Sequence, residues 1–214
     1  MRTRTALLRS LLPAMLALSL APAHALELTE LPGVVASASG CYLNSGCNPS
    51  QDWSAAKIID GMDYSISGSH AWNAGTWATS NSPQWVRLDF GGLYRLEGAE
   101  LRFTYNGGTF AGYTNAYEFR FSGDGLGWQV AASGTLVDSA DPVQLNDSWA
   151  WTTGTGPLAR YVEYRVVGGS HWAALGEMNV QGIAAPVPEP GTAVMTLAGL
   201  ALAGMTARRR LKRG

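Results

Sequence analysis

The chain has 214 residues, 15 Lys and Arg against 16 Asp and Glu, and two cysteines. The positive charge is concentrated at the two ends, so residues 26–185 keep seven cations against 15 carboxylates, a formal charge of −8. A surface that grips nucleic acid needs a basic patch, and this balance excludes nucleic acid as a partner.

Residues 1–25 read as a secretory signal peptide. Arg2, Arg4 and Arg9 make a basic start, Leu11 to Leu20 an apolar centre, and Ala23-His24-Ala25 the small-x-small pattern that signal peptidase cuts after. Residues 26–185 are then one domain's worth of chain, enough for a single sizeable core.

Cys41 and Cys47 come first in this segment. An even, close pair in an exported chain reads as a disulfide, and two thiolates alone do not complete a zinc shell. The bridge is expected to close a small loop containing Asn44, Ser45 and Gly46.

Short alternating runs follow, separated by Gly, Asn, Ser and Asp, and no long stretch has a helical period. Val86, Leu88 and Phe90 alternate with Trp85, Arg87 and Asp89. The same period recurs at Leu101-Phe103-Tyr105, Tyr117-Phe119-Phe121, Val162-Tyr164-Val166 and Met178-Val180. This pattern predicts an all-β sandwich with one face of each strand inward. The outward set carries both signs of charge and reads as a solvated face of modest exposed pairs. The segments 61–83, 105–116 and 138–159 read as glycine-rich loops, where binding residues tend to sit on a rigid scaffold.

Residues 186–214 form a separate tail. Pro186, Pro188 and Pro190 make a stiff linker. Thr192 to Ala207 is uncharged, and Arg208, Arg209, Arg210, Lys212 and Arg213 follow. A helix over that apolar run reaches about 24 Å at about 1.5 Å per residue, short of the roughly 30 Å hydrocarbon core. It suits transient insertion in the inner membrane, with the cations held on the cytoplasmic side.

Two resemblances cover most of the chain. Pro188-Glu189-Pro190, the apolar run and the arginine cluster resemble the PEP-CTERM sorting signal of Gram-negative bacteria. That resemblance implies an exosortase acting on the tail, and delivery to the cell envelope, surface or extracellular matrix. The central domain resembles the discoidin, or F5/8 type C, family, which includes the family 32 carbohydrate-binding modules. The residues that carry this are Ala56-Lys57-Ile58-Ile59-Asp60-Gly61, Thr76-Trp77-Ala78-Thr79, the run Gln84 to Gly91, Phe121 to Trp128, Ala159-Arg160-Tyr161-Val162, and Ala174 to Val180. The resemblance implies a jelly-roll β-sandwich of the galactose-binding-domain type, with about eight main strands and ligand loops at one end. The family often links its termini by a disulfide, whereas both cysteines here sit near the start, and the insertion between Gly61 and Thr76 is long.

The same resemblance implies one structural calcium ion between the early Asp-Gly turn and the last strand. Asp60 and Glu177 would supply carboxylates, and Lys57, Asp63 and Ser65 carbonyl or side-chain oxygens, which suits the oxygen shell of Ca²⁺. The alternative is that Asp60 only caps its turn and Glu177 is an exposed strand residue. For carbohydrate, aromatic faces stack on sugar C–H faces while planar polar groups bind hydroxyls. Candidates are His70, Trp72, Asn73, Tyr105, Asn106, Phe110, Tyr113, Trp149, Trp151, His171 and Trp172. Trp77, Trp85 and Trp128 lie in the fold motifs and are expected in the core or at its rim. No nucleophile elbow, metalloprotease helix, phosphate loop or C-x-x-C is present. The expected function is therefore a surface-sorted, non-catalytic module that binds carbohydrate, an exopolysaccharide of the envelope or matrix. The alternatives are a structural or adhesive matrix protein, and last a hydrolase.

Overall fold

The structure, a computed structural model, describes residues 25–43, 46–62, 70–103, 114–137, 146–170, 172–185 and Gly199. The chain divides into two units, Met1–Ile183 and Ala184–Gly214. Of the second, only Ala184, Ala185 and Gly199 are described. The signal segment up to residue 24, the PEP motif and the apolar run with its basic end lie outside the described residues. No helix among the described residues is long and apolar enough to cross a membrane.

The fold is all-β. Its strands are β1 (Leu26–Glu27), β2 (Val35–Ala38), β3 (Trp72–Trp77), β4 (Gln84–Arg102), β5 (Thr114–Ser122), β6 (Gln129–Val137), β7 (Asn146–Ala150), β8 (Leu158–Gly169), β9 (Trp172–Leu175) and β10 (Glu177–Ala184). Two short 3-10 turns, Leu28–Glu30 and Ala55–Ile59, complete it.

The 19-residue β4 belongs to both layers. Its first half pairs with β2 and β8, and its second half with β7 and β10. The change of layer occurs after Phe90, where the β8 register slips between Asp89 and Tyr94 and Gly91 takes φ +74°. A left-handed residue without a Cβ permits the bulge that turns the strand. Asp89 fixes the corner: its Oδ1 accepts the Gly91 N–H at 2.8 Å, and Arg160 donates to both oxygens at 2.8 and 2.9 Å. These bonds hold the Asp89 carboxyl below the usual range, the Arg160 contact first among them.

One layer is therefore β2, the start of β4, β8, β5 and β6, and the other β1, β10, the end of β4 and β7. Alternation turns Val86, Leu88, Phe119, Val162, Tyr164 and Val166 inward from the first and Met178 and Val180 from the second, where β4 also buries Leu96 and, after its period breaks at Gly98–Ala99, Leu101. The layers meet where Phe119 of β5 stacks on Trp149 of β7, with centroids 5.1 Å apart and planes at 3°. Burying side chains of this size contributes about 1.5–3 kcal/mol each. Strands β3 and β9 form a separate two-stranded ribbon.

Two segments read from the sequence as loops contain strands. β3 lies within 61–83 and β7 within 138–159. Neither alternates cleanly, because their pairing is supplied by β9 and by the second half of β4. The run at 86–90 and the start of the run at 101–105, read as separate strands, lie in one strand bent at its glycines and ending at Arg102.

Candidate functional site

Aromatic side chains gather along the β3–β9 ribbon. Trp77 and Trp172 are directly opposed across it, so their side chains project to one face. Trp77 is 55% exposed. Trp172 stacks on Tyr42 with centroids 5.3 Å apart, and Trp53 meets Tyr42 edge-on at 6.0 Å. Tyr42 belongs to the loop closed by the Cys41–Cys47 disulfide, whose Cα atoms are 5.2 Å apart. That loop is laid onto the ribbon by a backbone bond from Tyr42 N–H to Asn73 O at 2.7 Å, and the following segment by one from Asn73 N–H to Trp53 O at 3.4 Å.

The backbone here is strained. Leu43, Cys47 and Trp53 all have positive φ, at 53°, 52° and 63°. Each such L-residue costs on the order of 1–2 kcal/mol, and strain of this kind clusters at binding sites. Gly75, at φ +71°, is needed for the fit, since a Cβ there would lie 3.1 Å from the Tyr42 Cα. Exposed Trp77, partly covered Trp172 and Tyr42, and the projecting Leu43 offer flat apolar surface beside backbone polar groups.

At the other end of the ribbon lies an acidic corner. Asp60 Oδ1 accepts the Met62 N–H at 3.0 Å, while Oδ2 meets His70 Nδ1 at 3.2 Å and Lys57 Nζ at 3.7 Å. Glu177, the first residue of β10, is 3% exposed and its Oε2 has no hydrogen-bond partner. Burial first, then the charges of Asp60 and Glu27, raise its pKa to about 8, against a bond from Gly61 and the pull of Arg102. An orphaned, buried carboxylate oxygen beside a second carboxylate suits a bound cation. Among the described residues no three His, Cys, Asp or Glu side chains are gathered for a metal. The other residues expected there, Asp63 and Ser65, lie outside the described residues.

The outward face of the first layer is not the solvated array expected. Glu163 on β8 is 0% exposed. Arg87 donates to its Oε2 through Nε and Nη2 at 3.1 and 2.7 Å, and Arg120 Nη2 donates to Oε1. The Arg87 guanidinium lies between the rings of Trp85 and Trp128, 4.6 and 4.5 Å from their centroids. Long side chains from the two strands that flank β8 close over the carboxylate, a cover that alternation alone does not reveal. Trp85 and Trp128 are thus packed on arginine outside the core, and Trp77 is exposed on the ribbon.

The remaining expectations sort by burial. Trp72 is a correction: it is 0% exposed, donates from Nε1 to Gly40 O at 2.9 Å, and meets Tyr164 edge-on, so it packs the core. Asn73 is also turned inward, 6% exposed, its Oδ1 accepting the Gly75 N–H at 2.7 Å. Trp149 and Trp151 pack against the core, Trp149 through Phe119. His70 is drawn to Asp60 and not to the aromatic face. Among the described carbohydrate candidates, only Trp172 joins the ribbon cluster. Tyr105, Asn106, Phe110, Tyr113 and His171 lie outside the described residues. Tyr42, Trp53 and Trp77 join this aromatic cluster without a periodic signal of their own, although the disulfide around Tyr42 marks its loop.

Comparisons with known proteins agree with the fold. Residues 37–178 match the F5/8 type C domain model, and residues 186–210 match the PEP-CTERM protein-sorting motif. No curated protein matches the chain. Among solved structures, CpGH89CBM32-5 from Clostridium perfringens, in complex with GalNAc-β-1,3-galactose, is 20% identical with a TM-score of 0.51. The match covers 73% of this chain and 99% of that one. A fucolectin from striped bass (Morone saxatilis) serum is 19% identical with a TM-score of 0.53, covering 73% of this chain and 49% of that one. A family 89 glycoside hydrolase from Clostridium perfringens is 23% identical with a TM-score of 0.51, covering 77% of this chain. The present chain spans only 16% of that hydrolase.

Proposed function

The chain belongs to the F5/8 type C domain family, and from that premise we propose that it is a non-catalytic carbohydrate-binding module that engages a neutral glycan of the cell envelope or matrix through the β3–β9 ribbon. The sorting motif at 186–210 implies an exported, surface-sorted protein. On this reading an exosortase processes the tail after its brief insertion in the inner membrane.

The observation that carries the proposal is the exposed Trp77 opposed to Trp172, backed by Tyr42. Stacked rings bind the C–H face of a sugar, and rigid aromatics give up little conformational freedom on binding. Charge selects the class of glycan. Lys57 is engaged by Asp60, and segments 63–69, 104–113 and 138–145 contain no Lys or Arg. An anionic polymer has nothing to pair with at this surface.

A structural calcium held by Asp60 and Glu177 would cancel the repulsion between them and tie the start of β10 to the Asp60–Gly61 turn. That would set the base of the ribbon without touching the ligand. Catalysis lacks support, because a glycosidase opens both carboxylates to one substrate and Glu177 is buried.

The test is calorimetric titration of the purified exported protein with neutral and acidic oligosaccharides. Trp77→Ala and Trp172→Ala should each weaken neutral-glycan binding tenfold or more, about 1.4 kcal/mol, with the Trp77→Ala melt unchanged. Binding that survives both substitutions removes the ribbon as the site. Failure of every glycan, with surface adhesion intact, favours a structural matrix role.

A further inference from the structure

We infer that the outward face of the second layer carries a separate groove for an uncharged, polyhydroxylated ligand, a neutral oligosaccharide segment. A half-open groove of about 410 Å³ lies where β10, β4 and β7 run side by side. Its floor is a missing side chain. Gly98 of β4 is paired with Ala150 of β7. Glycine inside a strand weakens it and marks close approach of another group. Packing does not demand glycine there, since a Cβ would sit 3.4 Å from Gln181 Oε1 and from Trp149 O, at van der Waals distance.

The walls have the chemistry of hydroxyl recognition. Glu100 faces Ser148 across β4 and β7, and Asn179 and Gln181 project from β10. Asn179 Nδ2 reaches Glu100 Oε2 at 3.4 Å, and Arg102 Nη2 donates to the same oxygen at 3.1 Å. The nearest cation is thus engaged with the acidic wall. Two amides, a hydroxyl and a carboxylate present donors and acceptors together, as adjacent sugar hydroxyls require. A carboxylate-lined groove disfavours a uronate or sulfated chain. The groove is two and four residues along β10 from Glu177 and is distinct from the Trp77–Trp172 face. Two sites on one domain would hold one polysaccharide at two points or bridge two strands.

Backbone NMR of the exported protein tests this, titrated with neutral cello-, xylo- and chito-trisaccharides and with tri-galacturonate. A neutral trisaccharide should shift the Gly98, Asn179 and Gln181 amides saturably, and tri-galacturonate should not. Gly98→Leu, which fills the floor, and the surface double variant Asn179→Ala/Gln181→Ala should each weaken that titration tenfold or more. Trp77→Ala should leave it intact. The double variant decides the matter where Gly98→Leu does not fold. The groove is overturned by shifts that survive the double variant, by equal binding of tri-galacturonate, or by no neutral sugar shifting these amides. Ribbon binding is read separately, at Trp77 and Trp172.

Discussion

Replacing Glu163 by alanine distinguishes a structural ion cluster from a solvated face. The side chain is 0% exposed and is bonded by Arg87 and Arg120, whose own side chains are 25% and 13% exposed. An exposed pair contributes about 0–1 kcal/mol. Removing one partner of a buried pair costs about 3–5 kcal/mol, because the remaining charge loses its compensation. The arginines here keep some water, which places the loss near the lower end, about 3 kcal/mol. Against a total stability of about 5–15 kcal/mol, that leaves the domain folded but visibly weakened. Urea denaturation of the purified protein reads it: with a slope of about 1–3 kcal/mol per molar, the midpoint falls by about 1–3 M. The loss should persist in 1 M salt, where the Debye length of about 3 Å screens exposed charges far more than buried ones. A loss under about 1 kcal/mol, or one abolished by salt, would restore the face to ordinary surface.

Three further outcomes follow from the ribbon and its base. Gly75→Ala should cost about 1–2 kcal/mol for its left-handed backbone and weaken glycan binding by displacing Tyr42, as thermal melts and calorimetry would show; unchanged binding would mean that Tyr42 is not part of the site. Glu177, its pKa pushed up to about 8 chiefly by burial, makes ionisation unfavourable in the fold. In chelator-treated protein stability should therefore fall as pH rises from about 4.5 through 8, and calcium should offset the fall. Melts against pH would show a flatter curve for Glu177→Gln, and identical slopes for variant and parent would remove this carboxyl as the cause. Cys41→Ser/Cys47→Ser, opening a bridge of sequence separation 6, should lower stability by about 2 kcal/mol on the loop-entropy scale. It should weaken glycan binding further still, because the loop carries Tyr42; equal losses of stability and binding would argue against that coupling.

Which features were legible depends on whether a signal is local. Alternation exposed the inward sets of β4, β5, β8 and β10, because a half-buried strand shows its period in its own residues. The pair Cys41 and Cys47 was legible from spacing and context. The ribbon was not, because Trp72, Asn73 and Trp77 acquire opposite fates from the β9 strand about 100 residues away, Trp72 buried and Trp77 exposed. Glu163 shows the same limit: its register places it outward, yet Arg87 and Arg120 from neighbouring strands enclose it. A period of two specifies a face, not how deeply that face is covered.

The proposed ligand class and the acidic composition constrain one another. Of the seven cations in residues 26–185, Lys57 is taken by Asp60, Arg87 and Arg120 by Glu163, Arg160 by Asp89, and Arg102 bonds Glu100. Carboxylates thus neutralise five of the seven cations where they stand, Arg95 donates instead to the Gly156 carbonyl, and the surplus is negative. A field of that sign keeps the exported domain soluble and slows the approach of anionic polymers. Affinity must then come from stacking and hydrogen bonding, which salt hardly screens. Glycan binding by the ribbon should accordingly change little between 0.05 and 0.5 M salt, on the order of twofold or less. Calorimetry across that range decides it, since a steep fall in affinity with salt would require a cationic contact that this account does not contain.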